Sequence, residues 1–466
     1  MTQPMDQKSD IAPGELSISF AEALRVWAKI GLLGFGGPAG QIALMHRELV
    51  EQRRWISESR FLHALNYCML LPGPEAQQLA VYVGWLLHRT WGGIVAGILF
   101  VLPGAVVLGV LSWLYVSFGS LPVISALFFG LKAAILAVVV EAVLRIGKRA
   151  LKTRFLIVVA AFAFVIIYAL HVPFPWIVVG AALTGLLVGK WFPEWLPAAQ
   201  TTTEESDMRY VVDRQLANRD ATHIQPSLRR SVLATLICVM AWFTPITLAI
   251  WWLGTEHVVA KEGMFFSQTA VVTFGGAYAV LAYVAQRAVG DFGWLRPGEM
   301  IDGLALAETT PGPLIMVLQF VGFVAAYRHP GTLDPLVAAL LGAAMTTWVT
   351  FVPSFLFIFV GAPYIEALRR NRSLHAALSA VTAAVVGVVL NLAVWFTLHT
   401  AFKDLVQHPF GPFLLELPVW GSIEPGAAIL AAATMVAMLR FKLGLGWTLL
   451  GSSLVGAAYW WVRNGL

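Results

Sequence analysis

One pattern of landmarks occurs twice in this chain. FGGPAGQ begins at Phe35, Trp55 follows, and LPGPEAQQ ends at Gln78; later come FGGAYAV from Phe274, then Trp294, then TTPGPLIM ending at Met316. Phe35 and Phe274, Trp55 and Trp294, and Pro72 and Pro311 are each 239 positions apart. Three landmarks that keep one spacing define an internal repeat, so the chain must fold as two copies of one unit.

Composition says what surrounds that unit. With 58% hydrophobic and 12% charged residues over 466 positions, the chain is too apolar for a soluble globule. Runs such as Gly92 to Phe118, Val123 to Ile146 and Leu156 to Leu170 reach or approach the length that crosses roughly 30 Å of hydrocarbon as a helix. They are continuous and not alternating, which disfavours a sheet barrel. The expectation is an all-α polytopic membrane protein. The first seventeen residues are polar and show no removable signal, so the N-terminus is expected in the cytosol. Cys68 and Cys238 are far apart in apolar surroundings, and His46, His63 and His88 show no ligand spacing, so neither a metal site nor a cofactor is implied. Lipid is the expected surrounding partner, nucleic acid is not, and the oligomeric state stays open, a homodimer included.

Residues 18 to 50 read as two short helices broken at Gly36-Gly37, with Pro38 suited to the first turn of the second. Residues 58 to 88 repeat the plan around Pro72-Gly73-Pro74. Both read as helical hairpins or broken helices. Spans follow at about 92–118, 122–146, 155–170 and 174–190, and then a charged segment with Glu204, Glu205, Asp207, Arg209, Asp213, Arg214, Arg219 and Asp220. The division is therefore a first repeat at 1–191, a cytosolic linker at 192–230, a connecting helix at 231–253 and a second repeat at 254–466. In the second repeat the breaks recur at Gly275-Gly276 and Pro311-Gly312-Pro313, with later spans at about 335–361, 375–400, 427–439 and 445–462.

The connecting helix has no counterpart in the first repeat. If each repeat crosses the membrane an even number of times, one extra helix between them turns the second upside down. Loop charges agree. With the N-terminus inside, 22 Lys and Arg fall in cytosolic segments and six outside (Lys261, Arg287, Arg296, Arg328, Lys403, Arg463), while Arg25, Lys29 and Lys132 lie within hydrophobic segments.

Inverted repeats with broken helices mark secondary transporters, whose substrate site lies between the repeats near mid-membrane. New helix starts near Pro38, Pro74 and Pro313 present unpaired amides and roughly +0.5 of a charge each, which suits an anion. Candidate binding residues are Phe35, Gly36, Gly37, Pro38, Gln41, Asn66, Pro72, Gly73, Pro74, Glu75, Gln78, Gly275, Gly276, Thr309, Thr310, Pro311, Gly312 and Pro313. Lys132, about ten residues from either end of an otherwise apolar helix, joins them as a fixed positive charge; the plain reading is an ion pair with Glu141 or Glu75. Its counterpart in the second repeat is Thr382. A carboxylate beside an anion-binding helix start repels the anion unless protonated, so Glu75, Glu308 and Glu141 are the candidates for coupling to protons. The plain reading of Glu75 is a carboxylate that favours its own helix dipole. Glu22, Arg25 and Lys29 share a helical face, read as interfacial.

The run FGGPAGQIALMHRELVEQRRWISESRFLHALNYCMLLPGPEAQQLAVYVGW resembles the signature region of the chromate ion transporter family in its long-chain form, with two fused homologous halves. The resemblance covers nearly the whole chain and implies export of chromate, a tetrahedral dianion like sulfate, across the bacterial cytoplasmic membrane, with resistance to chromate as the result. It also implies oppositely oriented halves. The second half departs from the first: Pro38 becomes Ala277, Glu75 becomes Leu314 and Gln78 becomes Val317. Rival functions are transport of sulfate or another oxyanion, a membrane-embedded oxidoreductase or hydrolase, for which no catalytic motif speaks, and a passive channel.

Overall fold

A computed structural model of the chain describes residues 18–69, 71–119, 121–197, 210–212, 225–274, 277–296, 298–364, 372–411 and 413–464. The first repeat opens with α1 (Phe20–Leu33) and α2 (Gly37–His46), the latter running on into a π-helical turn at Arg47–Gln52. Then come α3 (Glu58–Cys68) and α4 (Glu75–Phe118), which is two helices joined at His88 and Arg89, where the backbone leaves the helical region. The repeat ends with α5 (Pro122–Ala150), α6 (Arg154–Leu170) and α7 (Phe174–Trp191). After α8 (Leu228–Leu253), the order returns as α9 (Val258–Val272), α10 (Ala277–Ala285) with a π-helical turn at Gln286–Asp291, α11 (Glu299–Thr309), α12 (Val317–Arg328), α13 (Pro335–Gly361), α14 (Arg372–Ala401), α15 (Pro425–Leu439) and α16 (Leu445–Asn464). Even the π-helical turns recur at the 239 spacing.

Among the described residues α4, α5, α7, α8, α13 and α14 are long and apolar enough to cross a membrane. The second limb of α4 works as a ruler through it. Near its start, a Cβ on Gly31 of α1 would fall 2.0 Å from the Leu99 carbonyl; midway, a Cβ on Gly104 would meet the Pro311 carbonyl at 2.4 Å. Close to its end, the Tyr115 hydroxyl donates to Asp302 on α11 at 2.9 Å. The first repeat's short helices therefore lie beside one end of this limb, the second repeat's beside the other, and the proline-glycine breaks at the middle. α13 reads the same way in reverse, from Glu262 over Gly342, through Ser354 beside Gly73, to the Phe357 carbonyl that accepts from Tyr67 at 3.2 Å.

The breaks are thus apices of hairpins that enter from opposite faces and turn back. Rings on the two legs meet across the first apex, Tyr67 with Tyr82 at 6.3 Å, and Gly303 lies against Phe320 across the second. The Pro72 and Pro311 breaks are hairpins, and neither leg spans alone. Lys29 on α1 reaches Glu48 beyond α2 at 2.7 Å, closing the first hairpin in the same manner, while Glu22, Arg25 and Lys29 all stay exposed. At each face a histidine ties the start of the first helix to the loop of the second hairpin: His88 with the Ile18 carbonyl at 2.8 Å, and His257 with the Pro330 carbonyl at 3.1 Å.

The long helices exchange partners between repeats. α5 packs on α15 and α16, where Ser452 donates to the Gly130 carbonyl at 2.7 Å and Thr434 to the Ala133 carbonyl at 3.2 Å. α14 packs on α6 and α7 in the matching way. Gly456 lies against Gly130, and its counterpart Gly185 lies against Ala380, the counterpart of Gly130. Small residues let these backbones approach where lipid offers no hydrophobic drive.

Two features extend the sequence reading. The stretch after Lys403, expected as a loop, holds a short antiparallel pair, Leu405–Phe410 with Phe413–Pro418, turned at Gly411 with φ +62°. The linker, expected to be wholly solvated, has one docked piece: the Val211 and Val212 amides donate to the Arg54 and Trp55 carbonyls at 3.3 and 3.0 Å, and Val212 is buried. Most of the linker lies outside the described residues.

Candidate functional site

The two apices hold each other. The Gly73 amide donates to the Thr273 carbonyl at 2.7 Å, and the Gly312 amide donates to the Gly34 carbonyl at 3.0 Å. Gly73 and Gly312 correspond, as do Gly34 and Thr273, so the pair of bonds is its own pseudo-twofold image. Only glycine suits the apices, because φ is +115° at Gly73 and +102° at Gly312. Gly36 and Gly37 also have positive φ, at +84° and +65°, and Pro38 stands in the first turn of α2. These crossed bonds answer the question of where the freed backbone groups go in a medium without water. They also occupy two amides that the sequence alone left open to an anion.

Other amides remain. α2 and α4 start at Gly37 and Glu75 without a side-chain cap, and the short 3₁₀ turn Leu314–Met316 after Pro313 lacks one too. Gln41 is buried and donates to the Gly34 carbonyl at 3.2 Å and to the Gly312 carbonyl, with its own Oε1 left without a partner. Gln78 donates to the Pro72 carbonyl at 2.7 Å, and its Oε1 is likewise unpartnered. Pro311, Gly312 and Pro313 are buried; Phe35 and Asn66 are exposed. Thr309 and Thr310 return their hydroxyls to carbonyls of their own helix, at 2.9 and 3.0 Å. Gly275 and Gly276 lie outside the described residues.

Sequence reasoning passed over several groups at this junction. Gln77 is fully buried with neither amide atom satisfied, and with Gln319 it lines a mostly apolar groove of about 720 Å³ between α4 and α13. Ser354 Oγ is buried and unpartnered beside Gly73, at the place where the other apex has Gly104. Glu75, Gln77 and Gln78, three polar residues among the four that follow Pro74, were the available signal for Gln77.

Lys132 pairs with neither Glu141 nor Glu75. Its Nζ lies 3.3 Å from Asp302 Oδ2, a carboxylate on the other repeat, which also accepts from Tyr115. Lys132 keeps 29% of its side chain exposed while Asp302 keeps 6%, and Asp302 Oδ1 has no hydrogen-bond partner among the described residues. Glu141 instead faces Arg145 at 3.7 Å. Glu308 is buried and accepts from the Tyr278 hydroxyl at 2.6 Å, with Arg145 and Glu141 the charges that act on it from α5. Glu75 is half-buried, and Arg149 is the cation that acts on it.

The surroundings of the two apices differ in access. α3 leaves Leu62, Asn66 and Met69 exposed, whereas their counterparts on α11, Ile301, Ala305 and Glu308, are all buried. The arrangement is a polar junction at mid-height with uncapped helix starts, whose first hairpin leaves a strip of side chains exposed and whose second is buried. No group of three or more His, Cys, Asp or Glu side chains among the described residues could hold a metal ion.

Comparison with known proteins bears on the family. A family model described as "Chromate transporter" matches residues 21–186 and 260–457, one region in each repeat. The chain is 34% identical over 379 residues to the chromate transport protein of Pseudomonas aeruginosa, covering 80% of each chain. It is 26% identical over 436 residues to the chromate transport protein of Cupriavidus metallidurans, covering 92% of this chain and 90% of the other. No solved structure matches.

Proposed function

The chain belongs to the chromate transporter family, and on that premise we propose that it is a secondary transporter that exports chromate across the bacterial cytoplasmic membrane and so confers chromate resistance. The observation that carries the proposal is the meeting of two inverted hairpin apices at mid-height, because broken helices end there with amides and dipoles directed at one place. The anion sits between Phe35–Gln41 and Pro72–Gln78 on one side and Thr309–Pro313 on the other. Asn66 lies on its approach, and Lys132 supplies the fixed positive charge. The face where α1 begins is the cytosolic one, in keeping with the 22 to 6 split of loop cations, and the division at 191, 230 and 253 follows from it. The exposed strip on α3 then marks a state open to the cytosol.

Energetics favours this direction. A dianion leaving a cell that is negative inside gains about 4.6 kcal/mol per 100 mV for its two charges. Exchange for inward-moving protons adds to that drive, and Glu75 and Glu308, at the two apices, are the acids placed to carry them; Glu141, paired with Arg145, is the weaker candidate.

Purified protein in liposomes tests the reading. Chromate flux should respond both to an imposed potential and to an imposed pH gradient; no flux from correctly inserted protein would overturn it. Sulfate is the second substrate to weigh, since amides and one lysine read charge and tetrahedral shape before the central atom. Competition by sulfate for chromate flux separates the two. Delivery of chromate with its valence unchanged, in liposomes containing only this protein, disposes of a reductase. Uphill movement disposes of a channel.

A further inference from the structure

Glu262 lies on α9, five residues beyond His257, and its side chain is fully buried. Neither carboxyl oxygen has a hydrogen-bond partner among the described residues. The group sits where α12 and α13 cross at Gly322 and Gly342. A Cβ on Gly342 would come within 2.7 Å of Glu262 Oε2 and of the Gly322 carbonyl, and a Cβ on Gly322 would come within 2.2 Å of Thr346 Oγ1. The two glycines therefore leave the room that a carboxyl and a hydroxyl fill. Thr346 is fully buried and its hydroxyl is also unpartnered. That is unusual here, because Thr347 and Thr350 on the same helix, and Thr269 and Thr273 on α9, all donate to the carbonyl four residues back.

Among the described residues no charged group pairs with Glu262 from the elements around it, and on α10 the titratable side chains are Tyr278, which donates to Glu308, and Tyr283, which packs on Phe265. Lys261 turns to Glu256 at 2.9 Å, and Arg328 at the end of α12, next to Tyr327, turns to Glu299. α13 has no ionisable side chain between Pro335 and Gly361, and α8, whose Ile246 packs beside Gly263, has only Cys238 and, at its far end, Arg229 and Arg230. A lone ionised carboxylate in such surroundings costs several kcal/mol. A neutral acid does not, and the Thr346 hydroxyl lies at the same helix crossing, beside Gly322. The corresponding residue in the first repeat is Ala23, so the acid belongs to one half only.

We propose that Glu262 is a proton-binding site of the transport cycle, protonated in the closed packing of α9, α12 and α13 and deprotonated when α12 and α13 part and admit water. Its part in the cycle rests on the proton-coupled reading above; its protonation does not. Two readouts keep these apart. Protein in liposomes with an entrapped pH indicator reports protons moved per chromate, and infrared difference spectra of wild type against Glu262→Gln report the C=O stretch of a protonated acid. The expected result is that Glu262→Gln, which copies the neutral acid, still passes chromate down its gradient but loses proton movement, and that the acid band is missing from its spectrum. An unchanged ratio of protons to chromate in a variant that transports would overturn the proposal. So would a wild-type spectrum without the band, or flux that requires sodium in its place. If wild type moves chromate without protons while the band is present, the coupling fails and the protonated site stands. Should Glu262→Gln not reach the membrane, Glu262→Asp keeps the acid and should shift the band.

Discussion

The two apices share a backbone and differ in almost everything attached to it. Gly73 and Gly312 make the same crossed bond, yet the first repeat brings Gln41, Glu75, Gln77 and Gln78 to the junction, and at the matching positions the second repeat has Val280, Leu314, Met316 and Val317. Charge is divided in the same uneven way: Lys132 answers to Thr382, Asp302 to His63, Glu308 to Met69 and Glu262 to Ala23. The lesson is a separation of tasks. Backbone closure at mid-membrane has to be satisfied on both sides and stays symmetric, whereas reading an anion and carrying a proton needs each group only once.

Substitutions that attack the shared part should do most harm, and equally in both halves. Gly73→Val and Gly312→Val force a branched residue into a positive-φ apex, and transport should be lost in each, with little protein reaching the membrane. A large difference between the two would break the symmetry of the scaffold. Next comes Lys132→Ala, expected to abolish transport and, by stranding Asp302, to lower the midpoint of thermal unfolding. Removing its partner as well, in Lys132→Ala with Asp302→Asn, relieves the stranded carboxylate, worth about 3–5 kcal/mol where such a pair is buried. Stability should return and transport should not; recovered transport would assign the lysine to packing alone.

Glu75→Gln copies the neutral acid and should leave chromate binding intact while flux stops responding to a pH gradient. A response that persists would move the coupling to Glu308 or Glu262. The smallest effect belongs to Gln41→Val, which gives the first repeat the residue that the second has at Val280. It deletes the donor to the Gly34 and Gly312 carbonyls and should cost about 1–3 kcal/mol of stability, read as a lowered midpoint in thermal unfolding. Val280→Gln, which adds an amide on the other side, should not compensate.

Most of the architecture was legible because proline and glycine punctuate it. The spans at 335–361 and 445–462 fall within a residue or two of α13 and α16, and the break at Pro72 is where a hairpin turns. What local sequence does not encode is depth: a helix that stops at a Pro-Gly-Pro can continue or turn back, and only packing between legs, as at Gly303 on Phe320, decides. Partners are hidden for the same reason. Lys132 and Asp302 are 170 positions apart, so a search for a counter-ion along the chain stopped at Glu141, one helix face away from the real one. The polar groups at the junction were found by type and missed by direction, since Gln77 and Gln78 are neighbours on a helix and point to different walls.

The crossed bonds at the apices also bear on how such a chain is made. When synthesis has delivered the first repeat as far as residue 191, the acceptor of the Gly73 amide, the Thr273 carbonyl, still lies 82 residues further along the chain. The Gly34 carbonyl waits for Gly312 in the same way, and α5 waits for α15 and α16. The newborn half is a membrane protein with its central seam open, and the long polar linker gives the second half time and slack to arrive upside down and close it.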